Sequence, residues 1–219
     1  MCWQVKIKME DLFGLKPEVK KKDWKGNANS VFKTLASSHH TTDIRQENDF
    51  YATDPKAVEM LLELEDFSHY IWEPSCGQGH MSKVLTNKEH FVRSTDLIDR
   101  GFGLAGIDFL KQTEIFNGDI ITNPPYSFAK EFIYKALELI PDGRKVAMFL
   151  KVQFMEGKGR KELFVKQPPK TIYISSSRIN CAKNGDFTGL RESGGSAVAY
   201  AWYIWKKGFN GTTEVKWFN

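Results

Sequence analysis

Asn123-Pro124-Pro125-Tyr126 is the stretch of this sequence best equipped for chemistry. It follows a short apolar run, Asp119-Ile120-Ile121-Thr122, and precedes an amphipathic stretch from Ser127. The order predicts a strand, a tight Pro-Pro corner and a helix. Two successive prolines fix φ twice and remove two backbone donors. The first also pushes Asn123 toward an extended conformation. Two carbonyls are then left without helical partners, beside an amide and an aromatic ring. Such a set can hold a planar amino group. The Asn123 side-chain oxygen and the Pro124 carbonyl accept its two hydrogens, and Tyr126 stacks on its ring. The bland alternative is a turn into a helix, since proline is common at the first helical position.

A second set of chemical residues lies upstream. Glu73-Pro74-Ser75-Cys76-Gly77-Gln78-Gly79 is a glycine-bearing turn between a predicted strand, 69–73, and a helix from about Met81. Gly77 and Gly79 let the backbone approach a ligand and expose amides at a helix start. No Gly-Lys-Ser/Thr follows, so this is not a phosphate loop, and the third glycine of the dinucleotide fingerprint is missing. Asp96 closes the next strand about 20 residues on, where a carboxylate can accept both hydroxyls of a ribose. Asp108 closes a third segment and can accept from an exocyclic amine, with Phe109 beside it to pack on a purine. Each Asp alone reads more readily as a cap or turn residue.

The elements that must position these residues alternate. Pro55 opens a helix capped by Thr53 or Asp54, with Val58, Leu61, Leu62 and Phe67 on its apolar face. Phe91–Thr95, Ile115–Thr122, Lys145–Leu150, Thr171–Ile174 and Ala197–Trp205 read as strands. Helices are predicted over 128–140 and 158–165. Ser175–Ser196 reads as a long polar loop with four glycines. Strands and helices alternating at this spacing predict a parallel α/β sheet.

At 219 residues and 41% hydrophobic, the chain suits one domain with a full core, 49–219, preceded by a lysine-rich arm, 1–48. No apolar run reaches the roughly 18 residues of a membrane span. Cys2, Cys76 and Cys181 are too few and too scattered for a disulfide framework or a zinc site. These features predict a cytoplasmic protein with no metal. Residues 141–219 carry 14 basic and 6 acidic side chains, a balance of +8, against 8 and 14, or −6, over 51–140. The basic third could face a polyanion.

With these motifs in order, the sequence resembles S-adenosylmethionine-dependent amino methyltransferases, most closely the DNA N6-adenine class. The resemblance covers about residues 48–205. It implies a Rossmann-like class I methyltransferase fold, with a mostly parallel seven-stranded sheet and an antiparallel last strand. Phe50-Tyr51-Ala52-Thr53-Asp54-Pro55 resembles the family's N-terminal cofactor motif, which implies roles for Phe50, Tyr51 and Thr53. Glu73, Pro74, Ser75, Gly77 and Gly79 match the main cofactor loop, with Cys76 where a small residue is usual. Thr95-Asp96-Leu97 resembles the ribose motif and Asp108-Phe109 the adenine motif. Asn123, Pro124, Pro125 and Tyr126 match the catalytic corner.

The resemblance implies methyl transfer from S-adenosylmethionine to the amine of adenine in double-stranded DNA, the base being flipped out. Only 14 residues separate Asp108 from Asn123, and 14 follow Trp205. That leaves no room for the family's separate target-recognition region, so any preferred site should be short or degenerate. Arg178, Lys183 and Arg191, in the 175–196 loop, are the candidate DNA contacts. The alternatives are a protein-glutamine N5-methyltransferase, which also uses an Asn-Pro-Pro-Tyr corner, an RNA guanine-N2 methyltransferase, and a non-catalytic cofactor-fold subunit. Restriction-modification, phage self-protection and regulation are equally compatible with the sequence, and so is any oligomeric state.

Overall fold

In the computed structural model, residues 50–177, 179, 181–183, 185–192 and 198–218 are described. Residues 1–48, expected to form an arm, and Arg178 lie outside them.

The strands β2 (Tyr70–Glu73), β3 (Phe91–Ser94), β4 (Asp119–Thr122), β5 (Lys145–Lys151), β6 (Thr171–Ser175), β8 (Tyr200–Lys206) and β9 (Glu214–Phe218) form one seven-stranded sheet. Its order is β3-β2-β4-β5-β8-β6-β9. Pairing is parallel between β3, β2, β4 and β5 and between β6 and β9. β8 alone is antiparallel, inserted between β5 and β6. The sheet is therefore mostly parallel, as expected, and the 171–174 and 197–205 runs pair antiparallel. The parallel edge strand β9 is an addition to the expected set. Two further strands, β1 (Tyr51–Thr53) and β7 (Cys181–Lys183), form a separate antiparallel ribbon.

The helices are α1 (Pro55–Leu64), α2 (His80–Asn87), α3 (Ala129–Leu139), α4 (Lys161–Lys166) and α5 (Phe187–Glu192). The sheet is covered on both faces, which the alternation along its central strands makes plain. On β5, Val146, Met148 and Leu150 join one core with Phe132, Ile133 and Ala136 of α3. Ala147 and Phe149 join the opposite core with Val58 and Leu61 of α1 and Leu85 of α2. On β8, Tyr203 and Trp205 face the first core, and Trp202 and Ile204 the second. A strand buried on both faces reads in sequence as a continuous apolar run.

Local chemistry starts the elements. Asp54, rather than Thr53, caps α1, its carboxylate accepting from the Lys56 amide at 3.0 Å, with Pro55 at the first position. The buried Asp119 carboxylate accepts from the Ser68 amide at 2.6 Å and the Lys145 amide at 2.7 Å, tying the starts of β4 and β5 together. Beyond β3, Thr95 pairs with Leu104 in a single parallel bridge, where the chain could have formed another strand. Residues 158–160 form a 3-10 turn ahead of α4. The polar 175–196 segment is more structured than expected, since it contains β7 and α5.

Candidate active site at the carboxyl ends of the strands

β2, β3 and β4 end on the same side of the sheet, and their following turns surround one cavity of about 540 Å³. That volume is in the range of small-molecule sites. Tyr51 and Thr53 of β1, with Phe50 just before it, line the cavity, as do Glu73, Pro74 and Ser75 from the end of β2. Asp96, Leu97, Asp108 and Phe109 line it from the turns beyond β3, and Asn123, Pro124 and Pro125 from the corner after β4. The fold thus brings most of the cofactor and catalytic candidates to one cavity, while Gly77, Gly79 and Tyr126 are not among its lining residues.

Gly77 and Gly79 contribute backbone instead. The Gly77 amide donates to Asp96 Oδ2 at 2.8 Å, while Asp96 Oδ1 accepts from the Ile98 amide at 2.9 Å. Gly77 has φ +54°, and a Cβ there would lie 2.4 Å from the Phe50 ring. Only glycine serves both requirements. Asp108 Oδ1 accepts from the Leu110 amide at 3.1 Å, so this carboxylate caps a turn while lining the cavity. Phe109 is buried against Trp72 and Phe132, at ring distances of 5.2 and 4.9 Å.

The catalytic-corner asparagine is clamped from one end. Its Nδ2 donates to the Tyr51 carbonyl and to Thr53 Oγ1, both at 3.0 Å, and to Cys181 Sγ at 3.7 Å. A carbonyl cannot donate, so the amide nitrogen must face Tyr51 and the oxygen must face away. That oxygen, Asn123 Oδ1, is buried with no hydrogen-bond partner among the described residues. A buried acceptor left open in this way costs about 1–3 kcal/mol and marks a place where a donor belongs.

Tyr126 faces away from the main cavity. Its ring lies 5.5 Å from Tyr51 and 6.1 Å from Tyr200, with the Lys151 ammonium over it at 4.9 Å. The ring borders a second cavity of about 190 Å³ behind the corner. Its hydroxyl is buried beside Cys181 and Tyr200, and burial, with the thiol next to it, raises its pKa. Burial pushes the Cys181 thiol up to about 12. Glu73 is buried as well, accepting from the Ser82 hydroxyl. Burial raises its pKa to about 8, and the Asp96 charge acts in the same direction.

Several contributors were not legible beforehand. Arg100 lines the cavity with its guanidinium 4.3 Å from the Phe50 ring, and Ile98 and Phe128 line it too. Nothing but its place in a glycine-rich loop could have pointed to Arg100. Cys181 reaches Asn123 through the pairing of Thr53 with Cys181 across the ribbon. Of the expected nucleic-acid contacts, Lys183 lies in β7, opposite Tyr51, and Arg191 lies in α5. Among the described residues, no group of three metal-ligating side chains is placed to hold an ion, and no helix is long and apolar enough to cross a membrane.

Solved structures share the fold. A candidate class I S-adenosylmethionine-dependent methyltransferase from Listeria monocytogenes superposes with a TM-score of 0.54 and 13% identity, covering 87% of this chain and 70% of its own. The chain has the class I methyltransferase fold. A candidate RNA methyltransferase from Pyrococcus horikoshii matches with a TM-score of 0.53 and 14% identity, over 83% of this chain and 100% of its own. No protein-family model and no curated protein matches the sequence. Within the methyltransferase fold, the cavity occupies the crevice outside the strand ends, the expected place for a ligand in an open α/β sheet.

Proposed function

We propose that the chain transfers a methyl group from S-adenosylmethionine to an exocyclic amine, and that adenine in DNA is the substrate the site suits best. The observation that carries this reading is Asn123, a cavity-lining residue whose amide is clamped at one end and whose buried Oδ1 has no hydrogen-bond partner among the described residues.

The residues present fit the cofactor. Three carboxyl-bearing side chains, Glu73, Asp96 and Asp108, line a cavity of nucleoside size and suit a cationic ligand. Asp96 would hold the ribose hydroxyls, Leu97 and Phe109 the adenine, and Phe50, Tyr51 and Glu73 the methionine end. The Gly77 turn seats the Phe50 ring, which lines the cavity. When bound, the cofactor supplies an electrophilic methyl group on a sulfonium.

The chain's own residues act on the target. Asn123 Oδ1 and the Pro124 carbonyl accept the two hydrogens of the amine. That draws its lone pair out of the ring system and makes the nitrogen nucleophilic. The acceptors are fixed in advance, so little reorganisation accompanies the developing positive charge. Holding both reactants in one crevice supplies much of the remaining acceleration. The proton leaves the amine afterwards, and no strong base is needed. A duplex base must be extruded to reach Asn123, and Tyr126 would stack on it once the Lys151 ammonium moves off the ring.

The test is to incubate the protein with methyl-labelled cofactor and, separately, DNA, RNA or protein extract. Label recovered as N6-methyladenine from digested DNA is the expected result. Label on protein glutamine or on RNA guanine would replace the substrate. No label in any of the three would refute catalysis.

A further inference from the structure

The chain leaving β5 at the active end, Lys151–Lys161, is built as a fixed, cationic loop. It makes two 3-10 turns, 152–155 and 158–160. The Arg160 guanidinium is spent on holding them together. Its Nε donates to the Phe154 carbonyl at 2.7 Å, and Nη2 to the carbonyls of Gln153, at 3.4 Å, and Glu156. Gly157 takes φ +116° beneath this guanidinium, which a Cβ would approach to 2.9 Å. Lys130 from α3 adds a bond to the Gly159 carbonyl at 3.1 Å.

With Arg160 so committed, two cations face outward. Lys158 and Lys161 are exposed, and neither has a carboxylate partner among the described residues. The adjacent Glu162 is taken by Lys166 at 2.7 Å. Residues 151–161 hold four cations against one carboxylate, Glu156, a balance of +3. The loop also borders the catalytic corner. Lys151, Gln153, Phe154 and Arg160 share the 190 Å³ cavity with Tyr126. The 181–192 segment is committed differently. β7 pairs with β1, and Phe187 packs on His80, a residue of the main cavity wall, at 5.5 Å.

We infer that the 151–161 loop is a phosphate-binding lip, on which Lys158 and Lys161 hold the sugar–phosphate backbone of a nucleic acid whose target base is presented to Asn123. The inference rests on the nucleic-acid reading above and adds the surface that would hold the polymer. Contacts from Lys158 and Lys161 to phosphates position the polymer without specifying its sequence. A fixed loop also loses little entropy when the polymer binds.

The experiment compares wild type with K158A/K161A and with K88A/K206A, a charge-matched control at the opposite end of the sheet. Affinity for a fluorescent DNA duplex is measured across a salt series, with methylation kinetics and cofactor affinity alongside. The lip variant should raise the KM for DNA at least ~5-fold at about 0.1 M salt. Its slope of log K against log salt should flatten by up to ~1.8, or about 0.9 for each phosphate that the variant no longer neutralises. Its kcat at saturating DNA and its cofactor affinity should stay within about twofold of wild type, and K158R/K161R should restore binding. An unchanged KM and slope in a protein whose wild type methylates DNA overturns the lip alone. An equal loss in the control, or a loss of cofactor affinity in the lip variant, also overturns it. A wild type that methylates no nucleic acid overturns the lip together with the function it rests on.

Discussion

Glu73→Gln isolates the charge at the base of the cavity. Glu73 is 2% exposed, and its carboxyl has no cationic partner among the described residues. Its pKa stands at about 8 against an ordinary 4.5, chiefly because burial penalises the anion. A carboxyl raised in the fold contributes stability that is complete below about pH 4.5 and is lost as pH rises through 8. Each unit corresponds to 1.36 kcal/mol, so between pH 5 and pH 8 the native state should lose roughly 3 kcal/mol through this group. Glutamine keeps an acceptor for the Ser82 hydroxyl and cannot ionise. Urea unfolding of both proteins at half-unit steps should therefore show a gap that changes in favour of the variant by roughly 3 kcal/mol over that range. A pH-independent offset is expected as well, because the amide brings a donor that must find a partner. Parallel curves would refute the reasoning. In the presence of a cationic ligand, Glu73 should ionise. S-adenosylmethionine binding near pH 7 should then release a proton in wild type and none in the variant, read by calorimetry in buffers of different ionisation enthalpy.

Asn123→Ala should lower kcat by about 10²–10³ while leaving cofactor affinity within about twofold, because its acceptor acts on the amine. Equal losses in both would contradict this role. Gly77→Ala should weaken cofactor binding at least ~10-fold by calorimetry, since the new methyl meets the Phe50 ring at a positive φ; an unaltered affinity would remove the turn from the site. Asp96→Ala removes the acceptor for two backbone amides and should cost cofactor binding ~1.5–3 kcal/mol for each charge-assisted bond to the ribose. A wild-type titration would exclude it.

The sequence made the corner legible because two prolines leave the backbone few options, whatever surrounds them. Tyr51 and Thr53 were legible as site residues, yet not as the clamp on Asn123. Their partner lies about 70 residues away, and no local pattern records such a bond. β7 was hidden for a related reason. Three residues have no readable period, and Cys181–Lys183 forms a strand only because β1 is there to pair with it. β9 was hidden by composition. Glu214 and Lys216 are exposed charges, Trp217 is 68% exposed, and only Phe218 is buried. The site itself was easier to read than its scaffold, because loops at strand ends carry their chemistry in consecutive residues.

The lone antiparallel strand has a consequence during synthesis. β8 pairs with all seven residues of β5, yet begins about 50 residues after β5 ends. At ~5–20 residues per second, the ribosome takes on the order of several seconds to deliver it. Throughout that interval, β5 of the growing chain presents an unpaired hydrophobic edge. β6, when it emerges, runs parallel to β5 and needs β8 between them. The nascent chain must therefore wait with its sheet half built, and its exposure to aggregation should be greatest just before residue 200 leaves the exit tunnel.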